Sequence, residues 1–462
     1  MSLTILTSEN IKLLPEQLAR INIPKFVRST LRCLNDSGFQ AYIVGGVIRD
    51  ICLDRPVTDW DITTSASNDE IRSTFRSIKN FTLKHDTVTL VNNGVHYEIT
   101  SFRGRDNQVA TLKEDLGHRD FTLNAMALDI NTGEILDLFG GLSDISKKVV
   151  RCVGNPKDRF REDPLRLLRG VRISGELGFR IGEKTLKAIP SLAELLSSVA
   201  EERIRDELIS ILMTDRPSKS FSILRRTGLL GQFLGELLEG YLMRQNAFHG
   251  YTVYRHIMET VDRTNPDPIL RLTALLHDIA KPRVRKKENG VFKFLGHEEA
   301  SAVLTKEIMK RLRFSKEMIE EVSELIAHHM IKYEPNWSDG AVRRLIRRVG
   351  PEKINRMLSF RKVDLLAHEI IDHKMDYLED LKKRVAILQD RPLPNTRNDL
   401  AVDGDMVMDI LGVGPGKDVG KALSVLMEQV TDNPELNTEK KLISLLKQMR
   451  KKREVFGRIK QS

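Results

Sequence analysis

Apolar and polar positions along this chain follow two periods, and the changes of period divide it into segments. Through residues 1 to 40 apolar residues recur at helical spacing, as at Phe26, Leu31 and Leu34, which predicts helix beside a short buried strand, Ala41 to Val44. Helical spacing resumes from Val47 to Leu53, directly after Gly45 and Gly46. TDWDIT, with its Thr, Trp and Ile, predicts an extended segment, and Asn68-Asp69-Glu70 opens a helix through Ile71, Phe75 and Ile78. Val88 to Val91 and Val95 to Phe102 flank Asn92-Asn93-Gly94. Asn-Gly accepts the positive φ of a tight turn, so this pair reads as a hairpin. ILDLFGG, 135 to 141, supplies a further strand and turn that finish an α/β unit, and from residue 181 helical spacing dominates.

Composition narrows the class. At 462 residues the chain has room for two to four domains, and 40% apolar with 30% charged residues is a soluble globular balance. Lys and Arg exceed Asp and Glu by 74 − 64 = 10, with a pI near 9.3, which suits a polyanion such as nucleic acid as partner. Cys33, Cys52 and Cys152 lack CxxC spacing, so neither a disulfide framework nor a zinc site is indicated and a reducing cytoplasm fits. MSLTILTSENIKLL has no basic lead followed by an apolar core, and no apolar run approaches the roughly 20 residues of a membrane span. The expectation is a cytoplasmic protein without membrane attachment.

Three stretches carry candidate chemistry. In the first, a strand leads into Gly45-Gly46 and a helix, a bend that lets an anion approach backbone N–H groups. Asp59 and Asp61, two apart in an extended segment, project from one face and can hold a divalent cation such as Mg²⁺. Glu98 becomes a third carboxylate there if its hairpin lies beside that segment. Arg119 offers a planar fork of donors to a phosphate or ribose. In the second stretch, REDPLRLLRGVRISGELGF, Pro164 suits a first helical turn. Asp163, Arg166 and Arg169 then share a helix face, and Arg172 turns aside. An acid and an arginine one turn apart can read the polar edge of a base, although an ordinary helix salt bridge uses the same pair. The third runs from Tyr254 to Asp364, with His256, the adjacent His277 and Asp278, and Asp364.

Strand, GG bend, helix and a strand with DxD resemble the signature of the nucleotidyltransferase superfamily that includes DNA polymerase β. Five motifs, GGVIRD (45–50), TDWDITT (58–64), HRDFTLNA (118–125), EDPLRLLRGVRISGELGF (162–179) and ERIRDEL (202–208), resemble in order and spacing those of class II tRNA nucleotidyltransferases, the CCA-adding enzymes, which share them with bacterial poly(A) polymerases. The resemblance covers about residues 28 to 240. It implies an α+β fold, with a polymerase-β-like head carrying a mixed sheet, followed by all-α neck and body, HD and tail regions. It assigns Gly45, Gly46 and Arg49 to the incoming triphosphate, Asp59 and Asp61 to catalytic metals and Arg119 to the nucleotide. Asp163 and Arg166 take the base edge, and Arg169 and Arg172 complete the site. The implied reaction is in-line attack by an RNA 3′-hydroxyl on the α-phosphate of CTP or ATP, with two metal ions and tRNA as acceptor.

One departure stands out. Only fifteen residues, GRDNQVATLKEDLGH, separate Arg103 from Arg119, where enzymes that add all of CCA carry a longer loop, and His118 replaces an arginine. This leans the reading towards CC addition, with a separate A-adding enzyme acting afterwards. His256, His277, Asp278 and Asp364 resemble the metal ligands of an HD phosphohydrolase domain, and His297 with His328 and His329 match accessory positions. Retained hydrolase activity is left open. The tail reads as helix, tight turn and helix around ILGVGPGKDVGKAL, since the GxGxxG spacing fails. The expected domains are a head, 1–150; a nucleotide-reading neck and RNA-binding body, 151–245; an HD domain, 246–370; and a helical tail, 371–462. Competing readings are a poly(A) polymerase and an HD phosphohydrolase with an RNA-binding head.

Overall fold

A computed structural model of the protein describes residues 10–13, 21–57, 59–83, 87–104, 110–245, 250–368, 374–389 and 396–459. The chain falls into two compact units, Met1–Leu238 and Glu239–Ser462.

The first unit is built on an eight-stranded sheet. In chain order its strands are β1 (Asn10–Lys12), β2 (Ala41–Val44), β3 (Asp61–Thr64), β4 (Asn80–Leu83), β5 (Thr87–Asn92), β6 (Val95–Ser101), β7 (Ala127–Leu128) and β8 (Glu134–Leu136). Across the sheet they run β1-β8-β7-β2-β3-β6-β5-β4. Only β3 and β6 pair in parallel; the other neighbours are antiparallel, so the sheet is mixed. The apolar positions expected in strands form its core, with Ile43, Val44, Ile62 and Ile99 almost fully buried. Helix Lys25–Asp36 buries Val27, Leu31 and Leu34 and packs on β2. Each such side chain contributes on the order of 1.5–3 kcal/mol. Asn93 and Gly94, both at positive φ, make the expected turn between β5 and β6.

Helices follow, at Pro156–Glu162, Arg166–Leu177, Glu201–Leu212 and Pro217–Arg226, beside a two-stranded parallel piece of β9 (Val149–Val150) and β10 (Arg180–Ile181). Two expectations need correction. Residues 10–12, expected in a helix, form β1 and pair with β8, because a sheet edge offers backbone partners that outweigh local spacing in so short a segment. Residues 1–9 and 14–20 of that segment lie outside the described residues. Asp163 is not on the helix with Arg166 and Arg169. It sits in the break between two helices at φ −144° and ψ 99°, since Pro164 excludes the helical region for the residue before it.

Among its described residues the second unit is helical apart from a hairpin, β11 (Lys286–Glu288) and β12 (Val291–Lys293), and a single antiparallel bridge between Arg244 and Thr252. One core gathers Leu325, Ile346, Met357 and Leu381. Another joins Val407, Leu426 and Leu442 from the tail, where helix Gly404–Leu411, a turn at Gly412 and helix Lys417–Asp432 match the expected arrangement. Among the described residues no helix is long and apolar enough to cross a membrane.

Candidate functional site

In the first unit the double glycine, the second aspartate and Arg119 meet at one point. Antiparallel pairing sets Val44 opposite Asp61, so the bend at Gly45 (φ +86°) lies beside the Asp61 carboxylate. A Cβ on Gly45 would stand 3.0 Å from Asp61 Oδ2 and 3.2 Å from Arg119 Nη1. The positive φ and the close approach both require glycine. Asp59 precedes β3 rather than lying in it and is exposed, and Thr58 lies outside the described residues. Burial pushes the Asp61 carboxyl up; Arg119 pulls it back and the charge of Asp59 adds to the rise. The conditional reading of Glu98 is met in its placement: β6 lies beside β3 with Ile99 opposite Ile62, and burial together with Asp61 and Asp59 raises the Glu98 carboxyl.

Arg119 is secured from behind. Asp115, 2% exposed, accepts from Thr63 Oγ1 at 3.1 Å and from the Arg103 backbone N–H at 3.3 Å, and lies 3.6 Å from Arg119 Nη2. Arg49 is less available than the sequence suggests. It is buried, donates to Asp50 at 2.8 and 3.0 Å, and reaches Asn124 Oδ1 at 3.1 Å. Asp163 accepts a two-pronged contact from Arg203 at 2.9 and 3.2 Å. Arg166 donates to His118 O at 2.8 Å, Arg159 O at 3.2 Å and Glu162 at 3.0 Å. Arg169 is held by Asp120 at 2.7 and 2.8 Å, and Arg172 by Glu207 at 2.8 Å and Glu176 at 3.1 Å. Sequence reading missed Asp115, Asp120 and Glu207 as anchors; Asp120 and Glu207 lie 49 and 35 residues from their arginines, whereas Asp115, four residues before Arg119, had the spacing of a local ion pair as a signal.

In the second unit three helices converge, with His256 in Val253–Arg263, His277 and Asp278 at the end of Pro268–Leu276, and Asp364 in Ile354–Leu366. His256 Nε2 lies 3.2 Å from His277 Nε2, 3.0 Å from Asp364 Oδ1 and 3.5 Å from Asp278 Oδ2; His277 Nε2 lies 3.3 Å from Asp278 Oδ2 and 3.4 Å from Asp364 Oδ1. A cation bound tetrahedrally at about 2.0–2.1 Å requires ligand atoms roughly 3.3–3.4 Å apart, so this quartet is spaced to surround one. Burial raises Asp278 and Asp364, but the facing imidazoles, with Lys281 and Arg361, hold both well below the ordinary carboxylate range. Burial lowers His277, and the two carboxylates outweigh it, raising the ring to about 9. Asp278 Oδ1 and His297 Nε2 are buried, 3.3 Å apart and without hydrogen-bond partners, a donor set whose chemistry fits a divalent cation. His329 joins Asp278 and His297 within ligand reach, and His368, which the sequence reading passed over, joins His256 and Asp364. His328 is in none of these groups. Two adjacent residues at a helix end project in different directions, and His329 is the one turned inward.

Known proteins match these parts in order. A profile described as "Poly A polymerase head domain" fits residues 41–151, one described as "Probable RNA and SrmB- binding site of polymerase A" fits 178–240, and an HD domain profile fits 248–383. The CCA-adding enzyme of Enterococcus faecalis is 29% identical over 438 residues, 92% of this chain and 96% of the relative. That of Leuconostoc mesenteroides is 34% identical over 307 residues, covering 63% and 75%. A crystal structure of the Bacillus stearothermophilus CCA-adding enzyme in complex with CTP superposes with a TM-score of 0.69 at 27% identity, covering 93% of this chain and 98% of that one. The Thermotoga maritima CCA-adding enzyme complexed with tRNA shares the fold, with a TM-score of 0.57 at 19% identity and coverage of 95% and 98%. Fold and site thus define a nucleotidyltransferase head followed by RNA-binding and HD regions. The chain belongs to the family of CCA-adding enzymes. Likeness along the full chain to these enzymes does not favour the poly(A) polymerase reading.

Proposed function

We propose that this protein extends the 3′ end of tRNA by transferring CMP from CTP. The observation that carries this is the meeting of Gly45, Asp61 and Arg119, which sets an anion-accepting bend, a carboxylate and a cation at one point. Asp61 is partly removed from water beside Asp59 and Glu98, an accumulation of negative charge that suits hard divalent cations such as Mg²⁺. Asp59 and Asp61 would hold them, and the bound ions supply charge neutralisation at the triphosphate. Arg119, braced by Asp115, faces the same phosphates, and Gly45 and Gly46 admit them to backbone N–H groups. Asp163 and Arg166 take the polar edge of cytosine. The carboxylate keeps about one acceptor site beyond the three used by Arg203 and the Leu165 backbone N–H, and the three bonds from Arg166 leave two of its five N–H donors. Arg49, Arg169 and Arg172 support this reader from their ion pairs with Asp50, Asp120 and Glu207. The RNA 3′-oxygen bonds to the α-phosphorus, pyrophosphate departs, and the hydroxyl proton is released.

The short connection after Arg103 favours a product ending in CC, whereas relatives named CCA-adding enzymes favour the full triplet and lend no support to a separate A-adding partner. Residues 105–109 of that connection lie outside the described residues. Incubation of tRNA ending at its discriminator base with CTP, ATP or both, resolved on a gel, decides it. Two additions from CTP are expected. A third with ATP establishes full CCA synthesis, and failure with CTP sinks the proposal.

A second reading concerns Glu239–Ser462. The spacing of His256, His277, Asp278 and Asp364 and the unpartnered Asp278 Oδ1 favour a divalent metal, and so hydrolysis of a phosphate ester. Substitution His277→Ala is expected to reduce metal bound to the purified protein to about a tenth at equal free metal, measured by inductively coupled plasma mass spectrometry. Undiminished metal content would remove this reading.

A further inference from the structure

The cavity over the histidine cluster, about 800 Å³, has one wall that metal chemistry alone leaves unexplained. The β11–β12 hairpin turns at Asn289 and Gly290, and its register pairs Lys286 with Lys293, Lys287 with Phe292 and Glu288 with Val291. Cross-strand partners share a face, so alternation places Arg285, Lys287, Phe292 and Phe294 on one side. Contacts agree: the Arg285 guanidinium lies 3.5 Å from the centre of the Phe292 ring and Lys287 Nζ 5.8 Å from it. Residues 281 to 293 carry six cations, Lys281, Arg283, Arg285, Lys286, Lys287 and Lys293, against one acid, Glu288. Lys281, Arg283 and Lys293 are neutralised by Asp278, Glu239 and Glu288. Arg285 keeps a buried Nε without a hydrogen-bond partner, and Lys286 and Lys287 are exposed. Phe292 and Phe294 line the cavity, and Val291 and Leu295 beside them are 49% and 75% exposed.

Cations interleaved with aromatic rings form the surface that tracks a single nucleic-acid strand, its backbone met by charge and its bases by ring faces. Phe292 and Phe294 line the cavity but Arg285 and Lys287 do not, so a phosphate ester held inside it leaves those two cations of the rim unused. The geometry points to the terminal phosphate of a single-stranded RNA as substrate of this site, with the adjoining nucleotides lying along the hairpin. This rests on the hydrolase reading above. The step is hydrolysis of a monoester. The bond from phosphorus to the strand oxygen breaks, one from phosphorus to water oxygen forms, and one water proton ends on the released strand hydroxyl.

The test compares phosphate release by the full chain, with Mg²⁺, Mn²⁺, Co²⁺ or Ni²⁺, from three esters: a hexaribonucleotide phosphorylated at its 3′ or 5′ end, the matching mononucleotide and p-nitrophenyl phosphate. The hexamer is expected to exceed the mononucleotide about tenfold in kcat/KM. For two phosphate contacts, from Arg285 and Lys287, its log kcat/KM should fall with log salt at a slope of roughly −1.4. Arg285→Gln with Lys287→Glu removes that advantage and flattens the slope while leaving p-nitrophenyl phosphate turnover in place. Hydrolysis without any preference for the hexamer, or a preference the double variant keeps, overturns the strand assignment and leaves the hydrolase reading standing. If none of the esters is cleaved with any metal, the hydrolase reading falls and the assignment falls with it.

Discussion

Substitution Asp61→Asn is expected to lower CMP incorporation by roughly a thousandfold while the protein becomes no less stable. The activity term follows from removing a preorganised charge at the reacting phosphate, where the loss of one such group costs about 10²–10³ in rate. The stability term has the opposite sign. Burial holds the Asp61 carboxyl above its ordinary range, so at neutral pH the folded chain carries an ionised group that the fold disfavours. Asparagine fills the same space without that charge, so the melting temperature in metal-free buffer at pH 7 should rise. The gain should vanish as pH falls through the carboxylate range, where aspartic acid is itself neutral. Added Mg²⁺ should narrow the gap by stabilising the wild type alone. A variant that still extends tRNA within tenfold of wild type, or that melts well below it, is incompatible with Asp61 as a strained metal ligand.

The head was legible because its signals are local. Glycine at positive φ, the change from one period to another and Asn-Gly between two strand patterns each depend on a few adjacent residues, and β2, β3, β5 and β6 appear where those signals fall. Pairing is not local, and this is where reading stopped. Which carboxylate restrains which arginine depends on contacts 49 residues apart for Asp120 and Arg169 and 35 for Arg172 and Glu207. Arg49 carries the right chemistry for a phosphate, yet its chain neighbour Asp50 takes two of its donor groups and Asn124, 75 residues away, takes the third. The error at Asp163 was avoidable. The restriction that proline places on its predecessor is written in the sequence, and applying it would have ended one helix at Glu162 and begun the next after Pro164.

The metal cluster shows the same division. Residues HD and a distant aspartate could be singled out by type, and helix ends at His277 and Asp364 bring them within 3.4 Å. His368 follows Asp364 by four residues, the spacing that stacks two side chains on one helix face, so a signal for it was present. No such rule chooses between His328 and His329, which differ only in the direction the last helical turn gives them. That choice belongs to the packing of rings, with His329 centred 5.3 Å from His277 and 5.2 Å from His297.

Substitution Asp120→Ala should give a large loss of stability in the first unit. The carboxylate is 7% exposed and accepts from four donors: Arg169 Nε and Nη2 on one oxygen, Asn124 Nδ2 and the Phe121 backbone N–H on the other. Burial alone would raise it, but Arg169 and these hydrogen bonds prevail and hold it at about 2. Alanine leaves a guanidinium and two N–H donors without an acceptor, a defect that costs about 3–5 kcal/mol when the site is fully buried. The Arg169 side chain is 36% exposed, so water recovers part of this and the lower figure of about 3 kcal/mol applies. For a unit of this size that corresponds to a fall of roughly 6–12 °C in the transition of the first unit, read by scanning calorimetry at pH 7. The pH dependence fixes the cause. Because the folded pKa lies below the ordinary aspartate value, the ionised group contributes fully above about 4, and its contribution fades as pH drops from there towards 2. Wild type and variant should therefore differ by the same amount at pH 7 and pH 5 and converge below pH 4. A difference under about 2 °C at pH 7, or one that widens in acid, would mean that Arg169 is held by its other neighbours and that Asp120 is not the anchor of the reading helix.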